Sequence, residues 1–158
     1  KLLNVNTRAT LLLAQAAYPA LKESKGALVA VASMSGMGAH PGMGAYSPSK
    51  AALISLCQVL AQEWACDGIN VNTVSPGMIR TPLTQKVYEN NQIAKERAAL
   101  VPWGRVGNPE DISNVISFLL SPEANYVTGQ NILVDGGFVD SLYRHIPGLP
   151  DSSEIDKT

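Results

Sequence analysis

Apolar positions recur at helical spacing from the first residues: Leu2, Val5, Ala9, Leu12, Leu13, Ala16 and Ala20 predict a helix over 1–22. Ser24-Lys25-Gly26 ends it. Residues 27–33, ALVAVAS, form a short apolar run with two valines, as in a strand buried on both faces. Residues 34–44, MSGMGAHPGMG, predict a loop, and their small side chains predict the close approach of another group. A second helix is expected over 46–67, packed through Leu53, Cys57, Leu60 and Trp64. Pro48 suits its first turn and Gly68 its end. Residues 69–75, INVNTVS, alternate and are β-branched, so they predict a strand broken at Pro76-Gly77.

Residues 83–100 predict a more polar helix. Asn108-Pro109-Glu110-Asp111 opens another, running to about Leu120, with a proline and acids at its N-terminus. Residues 131–135, NILVD, are a last strand, stopped by Gly136-Gly137. The tail 138–158 is polar and Pro-containing, and is expected to be mobile. The order α, β, α, β, α, α, β predicts an α/β fold, a parallel sheet with helices on both faces.

Composition narrows the class. A chain of 158 residues suggests one domain, and 46% hydrophobic with 16% charged residues argues against disorder. Net charge −1 with no basic patch argues against a nucleic-acid partner. No apolar run reaches the length of a membrane span, and no signal-peptide pattern follows Lys1. Cys57 and Cys66 lie nine apart, on opposite sides of one expected helix, and read as packed thiols in a reducing, cytoplasmic compartment. The chain starts at Lys1 inside an expected helix, which fits a fragment, a cleaved product or a partly covered protein.

Tyr46 and Lys50 lie four apart and share a helix face. A phenol titrates at about 10, too high for a good base near neutral pH, and a fixed ammonium beside it favours phenolate. By spacing alone the commoner reading is a tyrosine packed by its ring and a lysine in water. Position strengthens the pair. Ser33 ends a strand thirteen residues before Tyr46, and ligands of open α/β sheets bind at the C-terminal ends of strands. A hydroxyl there can donate to a carbonyl oxygen gaining charge while the tyrosine gives or takes the proton. Ser75-Pro76-Gly77 ends the next strand, so two strand ends and one helix start converge on a crevice.

From Leu2 to Gly137 the chain resembles the C-terminal part of a single-domain short-chain dehydrogenase/reductase. The resemblance rests on Val5-Asn6, Ser33, Y-S-P-S-K at 46–50 followed by Ala51-Ala52, and Asn70-Val71-Asn72. It continues with Ser75-Pro76-Gly77 through Thr81, Gly104-Arg105, Pro109-Glu110-Asp111 and Val134-Asp135-Gly136-Gly137. It implies a Rossmann-like doubly wound parallel sheet over 1–137 with 138–158 as a tail, and an oxidoreductase interconverting an alcohol and a carbonyl with NAD or NADP. Tyr46 would be the acid/base. Lys50 would assist it and hold the nicotinamide ribose, and Ser33 would orient the substrate oxygen. Asn6, at a kink in its helix, would hold a water relaying protons from Lys50. Pro76, Gly77 and the Ile79 backbone would line the nicotinamide, with Thr81 on its carboxamide.

Plainer readings stand beside these. Asn6 could make only a structural bond. Thr81 could cap the helix that follows it. Ser35 competes with Ser33, but the spacing to Tyr46 favours Ser33. His40 reads as a solvated loop residue. Met37, Met43 and Met78 read as pocket lining or core filler. Asp135-Gly136-Gly137 reads as a turn, not a metal or phosphate loop.

The resemblance also implies a glycine-rich phosphate loop after a first strand and a residue reading the adenine ribose. Neither is among residues 1–158, and the retained strands should be exposed where the missing ones would lie. The alternative reading is a non-catalytic oligomerisation module, a homodimer or homotetramer through helices 1–22 and 46–67. A Ser/Lys hydrolase is a weaker third, since it leaves the tyrosine unused.

Overall fold

A computed structural model describes residues 1–148; the rest of the tail expected to be mobile, 149–158, lies outside the described residues. Among them three strands form one parallel sheet in the order β1 (Ala27–Val31), β2 (Asn70–Pro76), β3 (Asn131–Val134). Ala27 pairs with Asn70 and Thr73 with Asn131. Parallel neighbours need long crossovers. The first contains α2 (Tyr46–Trp64). The second contains α3 (Gln85–Tyr88), α4 (Asn91–Leu100) and α5 (Pro109–Leu119). Before β1 lies α1 (Ala9–Ser24), entered through a π-helical turn at Asn4–Arg8. This is the element order read from the sequence, with one more helix in the second crossover.

The core explains the layering. On α2, Leu53, Cys57, Leu60 and Trp64 are all buried, against Ala14, Ala30, Ile69 and Val71. Burying a leucine there contributes about 1.5–3 kcal/mol. A second cluster joins Val74 to Ile112 and Leu119 of α5. Val71 and Val74, three apart on one strand, point to opposite faces. Thus α1 and α2 cover one face and α5 the other.

Five expectations need correction. The periodic positions of the first helix are not the ones it buries: Leu2, Val5, Leu12 and Leu13 are exposed, while Ala14 is buried and Leu11, Tyr18 and Leu21 pack beside it. The cause is a brace at its C-terminal end. Tyr18 packs against Trp64 with the rings tilted and their centroids 4.9 Å apart, and donates to Asp67, which also pairs with Lys22 at 2.6 Å. The helix extends to Ser24, and Lys25 closes it at a left-handed φ of 49°.

Second, the strand expected to be buried on both faces is only partly buried, with Val31 46% exposed; it borders the side where further strands are expected and none lies among the described residues. The buried central strand is β2, although its sequence is half polar. Its polar groups are all partnered: Asn72 Nδ2 donates to the Val127 carbonyl, and Thr73 and Ser75 both donate to Asn131 Oδ1. Third, the helix expected over 83–100 is broken in two. Asn90 leaves the helical conformation and its Oδ1 caps α4 by accepting from Gln92 N and Ile93 N. Fourth, the second helix stops being α-helical at Trp64 and finishes in a 3-10 turn, Ala65–Asp67. Fifth, only one cysteine is packed: Cys57 is buried and Cys66 exposed, both as free thiols. No helix among the described residues is long and apolar enough to cross a membrane.

Burial pushes the Cys57 thiol up to about 11. The thiolate is the reactive form, so at mildly alkaline pH a thiol reagent should label only Cys66 in the folded protein, and both after urea denaturation. Rapid labelling of Cys57 in the folded state contradicts this packing.

Candidate functional site

The first turn of α2 carries the Tyr46–Lys50 pair. Lys50 Nζ stands 5.9 Å from the Tyr46 ring centre and donates to the Val31 carbonyl at 2.8 Å. Partial burial lowers the Lys50 pKa from its ordinary value. Between the two lies Ser49, with no solvent exposure. Its Oγ donates to the Tyr46 carbonyl at 2.7 Å and accepts from Asn6 Nδ2 at 3.0 Å. Its own carbonyl accepts the Thr7 hydroxyl at 3.0 Å. The π-helical turn before α1 is thereby stitched to the first turn of α2. Such turns are rare and often sit at functional sites. Here the Asn6 carbonyl accepts the Thr10 hydroxyl at 2.9 Å.

Ser33 follows β1 and is buried; its Oγ accepts the Ser35 N–H at 3.1 Å, opening a 3-10 turn at Met34–Gly36. Ser35 is occupied otherwise, its Oγ bonded to His40 Nδ1 at 3.0 Å. The close approach expected in this loop occurs at Gly36. A Cβ there would lie 2.9 Å from the Lys50 carbonyl carbon and 2.9 Å from Ile54 Cδ1. The loop backbone therefore rests on the backbone of α2 one turn beyond Tyr46, and this contact sets the distance between the two halves of the site.

Pro76 ends β2. A Cβ on Gly77 would lie 2.5 Å from Asp135 Cβ, so Gly77 is needed for the strand ends to meet. Ile79 bridges Gly107, and its carbonyl accepts the Thr84 hydroxyl. Thr81 is not a helix cap: its N–H donates to Thr84 Oγ1, and the two hydroxyls lie 3.2 Å apart. Asp135 makes the turn read from the sequence, its carboxylate accepting the Gly137 and Val139 N–H groups. Farther along, Arg105 grips Asp111 through both carboxylate oxygens, at 2.7 and 2.9 Å. That contact and the Asn108 N–H hold the Asp111 carboxyl well below the usual carboxylate range.

A crevice of about 1120 Å³ opens at the C-terminal ends of the strands. Ser33, Tyr46, Lys50, Pro76, Gly77, Ile79 and Thr81 all line it. Asn6 does not. It lines a separate groove of about 520 Å³ along the free edge of β1, where Lys50 also appears. Lys50 thus stands at the junction of the two spaces. His40, Met43 and Met78 line the crevice, whereas Met37 lies outside it, its sulfur 3.0 Å from Asn131 Nδ2. Sequence reasoning missed Ser49, although it lies inside the Y-S-P-S-K run; its burial is the signal, and burial needs the fold. It missed Asn131 for the same reason.

A family profile described as enoyl-(acyl carrier protein) reductase matches residues 1–139. The chain is 42% identical over 139 residues to the 3-oxoacyl-(acyl-carrier-protein) reductase of Thermotoga maritima, covering 87% of this chain and 55% of that protein. It spans about half the length of the curated relatives it matches. Among solved structures, 4-hydroxyisoleucine dehydrogenase complexed with NADH superposes with a TM-score of 0.82 at 36% identity, over 87% of this chain and 58% of the other. An oxidoreductase of the short-chain dehydrogenase/reductase family from Burkholderia thailandensis superposes with a TM-score of 0.81 at 34% identity, over 87% and 55%.

Replacing Ser49 with alanine strands the Asn6 amide in a half-buried place. Ser49→Ala should lower unfolding stability by about 1–2 kcal/mol with an unchanged denaturant slope, measured by urea titration. An unchanged midpoint contradicts the stitching role.

Proposed function

Because this chain belongs to the short-chain dehydrogenase/reductase family, we propose that the protein interconverts an alcohol and a carbonyl with NAD(H) or NADP(H). The observation that carries this reading is the crevice shared by Ser33, Tyr46 and Lys50 at the strand ends. The nicotinamide fits the same place. Pro76, Gly77 and Ile79 line the crevice and would border it, and Thr81 would offer a hydroxyl for its carboxamide. Bound there, it supplies the hydride chemistry. The residue that distinguishes NAD from NADP is not among those identified in 1–158.

The side chains then divide the work. Tyr46 gives its phenolic proton to the substrate oxygen in reduction and takes one in oxidation. Lys50, 5.9 Å from the Tyr46 ring centre, reaches toward the ribose. Ser33 donates a hydrogen bond to the substrate oxygen. Asn6 serves twice. It positions Tyr46 through Ser49, and its side chain would hold a water relaying protons from Lys50.

Tyr46→Phe, in the protein expressed from its complete reading frame, should cut turnover by about 10²–10⁴-fold, followed by nicotinamide absorbance. Turnover equal to that of the unaltered protein would sink the mechanism.

One observation favours a second reading, a pairing module made by residues 1–24 and 46–64: Leu2, Leu3 and Leu12 stand exposed on the first helical segment, and Val59 on α2. A homodimer or homotetramer through these helices is compatible with catalysis, but a chain that only assembles would bind no cofactor. Calorimetry of the protein expressed from its complete reading frame with NADH and NADPH separates the cases. Saturable binding removes the purely structural reading, and its absence, with a defined dimer, supports it.

A further inference from the structure

The crevice is unequal in charge. Among the described residues, Lys50 and Arg97 line it, and no Asp or Glu does. Lys50 lies at the proton-transfer end, donating to the Val31 carbonyl. Arg97 comes from α4, which belongs to the second crossover, and it is half-buried. Neither ion pair among the described residues, Lys22–Asp67 or Arg105–Asp111, involves it. Its guanidinium instead lies 5.6 Å from the ring centre of Tyr88, a buried residue that ends α3 and also lines the crevice. Arg80 lies 5.4 Å from the same ring. A ring face holds a guanidinium in place without neutralising it. The crevice walls include the apolar Leu83, Leu100 and Met78. A positioned, unneutralised cation at one part of an apolar cleft is the complement of an amphiphile with an acidic end.

We infer that Arg97, steadied by Tyr88, anchors a carboxylate or phosphate carried by the substrate, so that the substrates are acidic molecules with an apolar body. This rests on reading the crevice as the substrate cleft. Arg97 is a binding residue here and takes no part in the proton transfer. A cofactor phosphate is the other possible source of the anion, and the test separates the two.

The probes are octanoate and octanamide, which differ in charge and little in shape. Calorimetry on the protein expressed from its complete reading frame should give octanoate an affinity at least about tenfold above octanamide. Arg97→Gln should bring the two together, and Arg97→Lys should keep part of the preference. Affinity for octanamide, which a mere loss of packing would alter, should hold in both variants. Equal affinities in the unaltered protein, binding of neither probe, or an unchanged ratio in Arg97→Gln would overturn the assignment. So would an Arg97→Gln protein whose affinity for NADH or NADPH falls while octanoate is still preferred. Equal affinities in the unaltered protein alongside the expected Tyr46→Phe effect remove only the anchor. A kept preference with a fully active Tyr46→Phe removes only the proton-transfer reading.

Discussion

One buried hydroxyl holds the reactive end of α2 in place. Ser49 Oγ, out of contact with solvent, lies between the Asn6 amide and the Tyr46 carbonyl. A hydroxyl taken out of water is costly unless bonded, so both partners must stay where they are. The neighbouring constraint is steric. Gly36 lets the loop after β1 lie directly on α2 at Lys50, where any larger residue would push it away. Hydrogen bonds fix the helix against the π-helical turn, and packing fixes the Ser33 loop against the helix. Tyr46, Lys50 and Ser33 come from two elements and still face one crevice for these two reasons.

The same economy governs the sheet. Its centre is β2, which carries Asn72, Thr73 and Ser75 in full burial. None of its side-chain polar atoms is left without a partner, because Asn131 on β3 accepts from two of them and Asn72 bonds the segment leading to β3. The polar strand is central and the apolar one, β1, lies at an edge, with the groove beside it lined by Leu28, Val29 and Val31. On the proposed reading, this chain supplies the proton-handling and nicotinamide-facing surfaces of the site, while grip on the cofactor's phosphates depends on residues outside 1–158.

Much of this was legible in the sequence. The element order, the packed stripe from Leu53 to Trp64, and the strand-end placement of Ser33 and Pro76-Gly77 all follow from local pattern. What failed did so for tertiary reasons. Leu2, Val5 and Leu12 keep helical periodicity, but the Tyr18–Trp64–Asp67 brace turns α1 to bury Ala14 instead. The apolar ALVAV run is only partly buried because no strand lies beyond it among the described residues. Asn90 splits a helix since a cap competes locally with continuation. Arg97 sits in a polar stretch with no motif around it, and only the break at Asn90 lets its helix fold back so that it meets Tyr88.

The central claim is that Tyr46 and Ser33 act together on one oxygen atom. The most direct measurement is a crystal structure of the protein, expressed from its complete reading frame, with a nicotinamide cofactor and an unreactive ketone bound. The expected result places the ketone oxygen within hydrogen-bond distance of both Tyr46 Oη and Ser33 Oγ, with Lys50 toward the ribose. A ketone oxygen held by Ser35 and His40, or bound away from Tyr46, would contradict it.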